Sequence, residues 1–405
     1  MGRARLLGMD REIAGVLLVL AVAQVIGWGT LGLPAIVGRR IADDLGIGLP
    51  VVFAGTSTLY VTMGLCAPLL AGPFKRLGAR HVMMAGSAIA ALGFVLLAYA
   101  HGEAVYFVAW TILGIAGSAS LSTAAYIMLN EVAGRSAKGA IGALMLVTGL
   151  SSSIFWPTTA VLADAIGWRG TCLIYALAAG LVCLPLYAFG LPRRTAAPVG
   201  SETPSGRGAA SVPPRSTFVL VVAAIAFNAF VSFGFSAIFV ELLKARGLSA
   251  TEAVAFGSTL GIVQVSARAL DFLGGGRWDG ITTGLVAGAL LPLAMLILIM
   301  GHGAYWTIAA FILVYGLGSG ALAVARATIP LVFYDKGEFA KATSHIALPL
   351  NLISAASPPT MAVLLSRVGS DAVLMLAMLC STGALLMLLI LARRRRMVEA
   401  TAITS

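Results

Sequence analysis

The sequence LPRRTAAPVGSETPSGRGAASVPPRS, residues 191–216, interrupts a chain that is apolar almost everywhere else. This stretch is rich in Pro, Gly, Ser and Arg and has almost no large apolar residue. Such a composition can neither cross a lipid bilayer nor pack into a hydrophobic core. We therefore predict that residues 191–216 are a linker between two halves of the protein.

Apolar segments of membrane-spanning length lie on both sides of this linker, six before it and six after it. About 20 mostly apolar residues cross a bilayer as a helix. These segments therefore predict an all-α polytopic membrane protein with 12 transmembrane helices. The six-helix, pseudo-symmetric halves would be residues 1–190 and 217–392, followed by a tail at residues 393–405. The segments run from Ile13 to Val37, Pro50 to Ala71, His81 to Ala100, Glu103 to Leu129, Ala137 to Ala163, Gly170 to Gly190, Thr217 to Leu243, Thr251 to Leu273, Ile281 to Met300, Ala304 to Val332, Ala340 to Leu365 and Asp371 to Leu391.

The composition excludes a large soluble domain. Of the 405 residues, 59% are hydrophobic and 11% are charged, and the mean hydropathy is +0.97, whereas soluble domains are about half apolar and a quarter charged. The four cysteines lie in or beside apolar segments and form no Cys-x-x-Cys pair. We therefore expect no disulfide, no metal and no cofactor.

The net charge of +11 would suit a nucleic-acid partner only if the basic residues were clustered. Instead they fall in alternate predicted loops. Twenty of the 27 Lys and Arg residues, Arg326 among them, lie on the side of the N-terminus, six lie on the other side, and Arg268 lies within a span. Because cytoplasmic loops carry the positive excess, we expect a multi-pass protein of the inner membrane with both termini and the linker in the cytoplasm. The expected partners are a small-molecule solute and the lipid bilayer, with no nucleic acid, and we expect a monomer.

Short signals repeat between the two predicted halves. His101-Gly102 and His302-Gly303 occupy corresponding turns, and Trp156-Pro157 and Pro358-Pro359 lie at similar places in corresponding spans. Each half has an even number of spans, so the halves would enter the membrane from the same side. They would then be parallel repeats about an axis along the membrane normal.

Twelve spans in two halves, both termini inside and a basic central linker resemble the major facilitator superfamily over the whole chain. The loop after the second span, AGPFKRLGAR at residues 71–80, is similar to the family's Gly-x-x-x-Asp-Arg-x-Gly-x-Arg motif at Arg76, Gly78 and Arg80. It departs from the motif at Ala71 and Lys75. The resemblance implies gating roles for Arg76 and Arg80.

The family's Asp is thought to help latch the cytoplasmic face through a charge-assisted contact, and Lys75 cannot supply this contact. Either the latch is absent, or another acid such as Glu131 or Asp335 replaces the Asp. A third interpretation is that the basic residues of this loop are only positive-inside anchors.

Gly167-Trp168-Arg169, at the entry to the sixth span, is similar to a tripeptide found there in organic-anion and monocarboxylate-carrier-like members of the family. Trp and Arg at a helix start are also ordinary interfacial anchors. The tripeptide therefore leaves a substrate role and an anchoring role open.

Arg268 is the most informative charged residue, because it lies several residues inside the eighth span. A charge at the centre of a span costs about 2.5–3.5 kcal/mol on insertion scales. Asp271 shares its helical face and can neutralise it. Arg268 either pairs permanently with Asp271 near the cytoplasmic end or faces the central cavity and binds a substrate carboxylate. Monocarboxylate carriers of the resembled family use an Arg in this helix similarly, which favours substrate binding.

Other polar and aromatic residues near the middle of spans are candidates for the same cavity, because burying their polar groups without a partner is costly. These candidate substrate-binding residues are Gln24, Trp28, Tyr60, Trp156, Asn228, Tyr315 and Asn351. Asp271 and His345 are the candidate proton carriers.

The sequence thus predicts a secondary active transporter for a small organic anion that works by alternating access, with proton coupling left open. Efflux of hydrophobic drugs or of other neutral or cationic solutes is the alternative. A membrane-embedded enzyme would need clustered nucleophiles, metal ligands or paired acids, and a channel would need a pore-lining repeat or filter. The sequence has neither pattern, so we expect the protein not to be an enzyme.

Overall fold

Long helices make up nearly all of the chain that a computed structural model describes, namely residues 5–6, 9–193, 215–274, 279–301, 304–334 and 336–404. The prediction of an all-α protein is confirmed, with one small addition. Arg5–Leu6 and Met9–Asp10 form two short antiparallel strands, β1 and β2. Most of the predicted linker lies outside the described residues, as do Arg277, His302, Gly303 and Asp335.

The described helices fall into two compact units. Unit 1 comprises the described residues up to 193 together with residues 336–355, and unit 2 comprises the described residues from 215 to 334 together with residues 356–404.

Unit 1 contains ten helices before the gap at the linker, with a π-helical turn at Ala178–Cys183 between the last two. The helices are α1 Arg11–Leu31, α2 Leu33–Leu45, α3 Leu49–Cys66, α4 Ala71–Leu77, α5 Ala79–Ala98, α6 Glu103–Ser120, α7 Ser122–Ala133, α8 Ala137–Thr148, α9 Ser151–Leu177 and α10 Leu184–Gly190.

The helices after the gap are mostly longer. They are α11 Arg215–Ala245, α12 Ala250–Leu273, α13 Gly280–Met300, α14 Tyr305–Thr328, α15 Pro330–Phe333, α16 Lys336–Arg367 and α17 Ser370–Thr404. The first part of α16 belongs to unit 1 and the rest to unit 2. The segment predicted as a tail, residues 393–405, continues α17 as a helix through Thr404.

Ten candidate membrane spans occur among the described residues, judged by length and composition. One of them, Ala137–Gly190, is 54 residues long. It contains Gly167, whose φ of 72° breaks the helical path within α9. The 24-residue helix α12 lies outside those ten spans. The protein is therefore a multi-pass membrane protein.

An ion pair joins the ends of distant helices in each unit. In unit 1 Arg169 Nη2 lies 3.0 Å from Asp44 Oδ2, and in unit 2 Arg246 pairs with Asp371. The partners are 125 positions apart in both pairs, and the order of the charges is reversed. The pairs tie the end of α2 to α9 and the end of α11 to the start of α17.

Close helix packing in unit 1 depends on glycine. A Cβ atom added at Gly114 of α6 would lie 2.6 Å from Thr62 Cβ and 2.8 Å from the Leu59 carbonyl oxygen of α3. Trp110, one turn earlier on α6, is fully buried in the same core. Small residues let helix backbones approach in this way.

We expect Gly114→Ala to destabilise the protein by about 1–3 kcal/mol, because the added methyl group overpacks the contact between α3 and α6. The matched control is Gly139→Ala in α8, where an added Cβ meets nothing within 4 Å. This control should leave stability unchanged or raise it slightly. Thermal unfolding of the purified variants in one detergent measures both effects. A Gly114→Ala protein as stable as the parent would contradict the tight packing.

Candidate functional site

In unit 2, α12 and α14 approach each other through two glycines of α14. A Cβ atom at Gly316 would lie 2.6 Å from Val263, and one at Gly320 would lie 2.4 Å from the Gln264 carbonyl oxygen. Gln264 Nε2 also donates to Ser319 Oγ at 2.9 Å. Neither Gln264 nor Ser319 was among the candidate residues from sequence, although an amide within a span carries the same signal as Asn228.

Arg268 directly follows Ala267, whose Cβ is the third atom crowding Gly320. Its side chain is half-buried, and it precedes the end of α12 by about one and a half turns. A capping box between Ser249 and Glu252 begins α12 at its other end. Arg268 therefore lies inside a continuous helix, as the sequence predicts.

Asp271 is buried, with 8% of its surface exposed. It accepts a hydrogen bond from Thr283 Oγ1 on α13 at 2.8 Å. The carboxylate is thus held to a neighbouring helix as well as lying about one turn from Arg268. A buried carboxylate in a membrane protein needs such donors.

Arg326, which the count of charges placed with a cytoplasmic loop, belongs to a helix in the structure. It lies in the last turn of α14 and is half-buried. Its Cζ atom is 5.4 Å from the ring centroid of Phe233 on α11. The candidate span that contains Arg326 runs on to Phe333. The count from sequence grouped Arg326 with the loop because the residue lies close to the end of its predicted span.

The two candidates on α11 and α14, Asn228 and Tyr315, have different surroundings. Asn228 is 2% exposed. Among the described residues its Oδ1 atom has no hydrogen-bond partner, and the same holds for Ser232 Oγ one turn later. Tyr315 is packed in an aromatic cluster, with its ring centroid 5.5 Å from Phe311 and 5.3 Å from Phe235. Asn228 and Ser232 thus offer polar atoms to a ligand or water, while Tyr315 belongs to a packed core.

In unit 1 the fourth predicted span is broken. Leu121, between α6 and α7, has φ −85° and ψ −154°, so the chain there is extended. Gln24 of α1 is fully buried and donates from Nε2 to the Ser120 carbonyl oxygen at 2.7 Å. Trp28 Nε1 donates to Ser122 Oγ at 3.0 Å. Gln24 therefore caps a backbone carbonyl at this break, whereas Trp28 binds the side chain of Ser122.

Three other candidates lie apart from this break. Tyr60 of α3 is half-buried and packs against the core of unit 1. Trp156 of α9 is 49% exposed. Asn351 of α16 donates from Nδ2 to the carbonyl oxygen of Ala347, one turn earlier.

The predicted gating residues lie near helix ends in unit 1. Arg76 is exposed in the last turn of α4, and Arg80 is buried and donates to the carbonyl oxygen of Ala188. His345 is exposed, with Nδ1 2.8 Å from the carbonyl oxygen of Lys341 in its own helix.

Lys75, which replaces the family's Asp, has an acidic neighbour that the sequence did not suggest. Its Nζ atom is 3.9 Å from Glu338 Oε1, in the first turn of α16. Of the two acids considered from sequence, Asp335 lies outside the described residues and Glu131 is exposed at the end of α7. Glu338 could not be found from sequence, because α4 and α16 are far apart along the chain and meet only in the folded protein.

Trp168 and Arg169 form a structural tie. Trp168 Nε1 donates to Asp44 Oδ2 at 3.0 Å, and Arg169 donates to the Ala100 carbonyl oxygen at 2.8 Å. The Arg169 guanidinium lies 4.3 Å from the centroid of the Trp168 ring. These contacts favour the anchoring interpretation of the Gly167-Trp168-Arg169 tripeptide.

We expect Thr283→Val to destabilise the protein by about 1–3 kcal/mol, because the isosteric valine removes the hydroxyl donor from the buried Asp271 carboxylate. Thr282→Val is the matched control, since the Thr282 side chain is exposed on the same helix. It should change stability by less than about 0.5 kcal/mol. Thermal unfolding compares the two variants. Equal stability of both would show that the hydroxyl of Thr283 adds nothing to the burial of Asp271.

Comparison with known proteins agrees with this architecture. The family model described as Major Facilitator Superfamily matches residues 7–275. Monocarboxylate transporter 11 of Homo sapiens is 26% identical over 317 residues, which are 73% of this chain and 64% of that protein. The chain thus spans slightly less than two thirds of this relative.

Two solved structures share the fold. The crystal structure of the human organic anion transporter MFSD10 (TETRAN) has a TM-score of 0.71 and 16% identity, covering 93% of this chain and 99% of that one. The proton:xylose symporter XylE, bound to 6-bromo-6-deoxy-D-glucose, has a TM-score of 0.69 and 12% identity, covering 93% and 94%. The family model matches more than half of the chain. This protein therefore belongs to the major facilitator superfamily, whose members carry small solutes across membranes.

Proposed function

We propose that this protein is a secondary active transporter that moves a small organic anion across the inner membrane by alternating access. The observation that carries the proposal is Arg268, half-buried inside α12. Ionisable residues inside membrane helices are rare and usually mark substrate or ion pathways. The planar guanidinium fork of Arg suits a carboxylate, which it can bind through two parallel hydrogen bonds.

The surroundings of Arg268 support a binding role over a purely anchoring one. Asp271 is held by Thr283 of α13 at 2.8 Å, so this carboxylate has a donor that does not depend on Arg268. A substrate carboxylate can then compete for the guanidinium without leaving Asp271 bare. We propose Asp271 as the proton carrier, because it is a buried carboxylate within about one turn of Arg268.

The names of similar proteins support the class of solute. One relative is named a monocarboxylate transporter, and one structural neighbour is described as an organic anion transporter. The other neighbour is described as a proton:xylose symporter, which is consistent with proton coupling in this fold.

For the architecture we propose twelve spans in two six-helix halves, with a monomer as the working unit. The break at Gly167 divides the longest candidate span into two, and α12 supplies a further helix. Together these account for the two spans beyond ten. Left-handed glycines recur at corresponding places, with Gly46 and Gly167 in the first half and Gly247 and Gly369 in the second. The two ion pairs with partners 125 positions apart support the same repeat.

We expect Arg268→Lys to reduce transport of small carboxylates by about tenfold or more, because lysine keeps the charge but loses the bidentate fork. The assay is counterflow of a labelled carboxylate into preloaded proteoliposomes, which also distinguishes a carrier from a channel. Arg367→Lys, at an exposed position near the end of α16, is the control and should transport like the parent. If Arg268→Lys and Arg268→Ala both insert and transport like the parent, Arg268 is only an anchor.

For the orientation, we expect a cysteine at Ser205 to resist a membrane-impermeant thiol reagent in intact cells and one at Gly102 to react. The physical reason is the excess of Lys and Arg in the loops on the side of the linker. The measurement uses a parent in which the four native cysteines are replaced. Labelling at Ser205 from outside would reverse the proposed orientation.

A further inference from the structure

The side-chain amide of Gln264 is held in one orientation by the contact between α12 and α14. Its Nε2 atom donates to Ser319 Oγ at 2.9 Å, and the Ser319 hydroxyl donates to the carbonyl oxygen of Gly316 at 3.5 Å. A hydroxyl has one hydrogen to donate, so Ser319 accepts from the amide nitrogen and does not bind the amide oxygen. Gln264 Oε1 therefore accepts no hydrogen bond from the described residues, and it is accessible, unlike the buried Asn228 Oδ1.

Gln264 shares one face of α12 with Gly261 and Arg268, which lie three positions before it and four positions after it. Residues at these spacings are neighbours on the surface of a helix. Gly261 is exposed, and a Cβ atom added there would meet nothing within 4 Å. These three residues thus form a polar strip along α12, with open space at one end and a half-buried guanidinium at the other.

The polar strip lies away from the part of α12 that suits lipid. Ile262, Leu270 and Leu273 are large, apolar and exposed. At about 100° per residue, they lie on the side of the helix opposite Gln264. An exposed apolar face is favourable in contact with lipid, whereas an amide and a guanidinium are costly there. The polar strip therefore borders water or a ligand.

We propose that Gln264 is a specificity-determining residue and that the preferred substrate is a hydroxy acid whose hydroxyl group is separated from the carboxylate by two or three carbons. Arg268 binds the carboxylate, Gln264 Oε1 accepts a hydrogen bond from the hydroxyl, and the space at Gly261 takes the far end of the substrate. This inference rests on the proposed function of Arg268 and adds the substrate class. The Cα atoms of Gln264 and Arg268 are about 6 Å apart along the helix axis, so a hydroxyl next to the carboxylate does not reach Gln264.

The test compares four acids that share a carbon skeleton, namely butyrate and its 2-, 3- and 4-hydroxy derivatives. Each competes with a labelled carboxylate for counterflow into proteoliposomes that contain the full-length protein. We expect the parent to prefer 3- or 4-hydroxybutyrate over butyrate by about three- to tenfold, because one hydrogen bond is gained. The 2-hydroxy acid should compete no better than butyrate. Gln264→Leu, which has a similar volume but no acceptor, should bring the ratio of these affinities to about one.

Two further variants separate recognition from packing. Ser319→Ala removes the hydrogen bond between α12 and α14 but keeps the acceptor of Gln264, so it should retain part of the preference. Ser266→Ala, at an exposed position on the apolar side of α12, is the matched control and should retain all of it.

The comparison of the four acids in the parent needs no variant, so it stands even if Gln264→Leu inserts poorly. Equal competition by butyrate and its 3- and 4-hydroxy derivatives would overturn the inference, as would a preference that survives in Gln264→Leu. Equal losses in Ser319→Ala and Gln264→Leu would show that Gln264 acts only through packing. In each of these cases Arg268→Gln still tests the proposed function by itself, since it should weaken all four acids. If none of the four competes and Arg268→Gln transports like the parent, the proposed function falls as well.

Discussion

The close approach of α12 and α14 at Gly316 and Gly320 is the contact on which the arrangement of unit 2 depends. A side chain at Gly320 would meet backbone atoms of Gln264, and backbone atoms cannot move aside as a flexible side chain can. Because the two backbones come so close, the Gln264 amide reaches Ser319. A wider spacing would break this hydrogen bond between α12 and α14.

A second constraint acts throughout the molecule, because lipid offers no hydrogen bonds to polar groups. Where the helices are regular, the backbone N–H and C=O groups form hydrogen bonds with each other. Where the chain departs from a helix at Leu121, side chains from elsewhere take over, as Gln24 does at the Ser120 carbonyl oxygen. For the same reason the buried carboxylate of Asp271 accepts a hydrogen bond from the hydroxyl of Thr283. Polar residues in the spans therefore fall into two groups. Some form hydrogen bonds to buried polar groups of the protein, and others, such as Asn228, have a buried polar atom with no hydrogen-bond partner among the described residues.

The ends of the helices are held in a different way, by charges. Asp44 pairs with Arg169 in unit 1 and Arg246 pairs with Asp371 in unit 2, with the signs reversed. Arg246 is largely buried, with 10% of its side chain exposed, although its partner is 70% exposed. An ion pair depends on having one charge of each sign and not on which helix supplies which sign. The repeat that we propose can therefore keep the contact while exchanging the two residues, and a comparison of residue types alone would miss it.

Much of this protein follows from its sequence, because the length of an apolar run and the loop charges are local properties. They predicted a helical, multi-pass membrane protein, and they predicted Arg268 as a charge inside a helix. What lies opposite a given residue depends on helix packing, which local patterns do not contain. Only the tertiary structure places Glu338 beside Lys75, Thr283 beside Asp271, and Tyr315 in an aromatic core. Arg326 is a further example: the count of charges placed it with a loop, whereas in the structure it lies in the last turn of α14, with its guanidinium over the ring of Phe233 on α11.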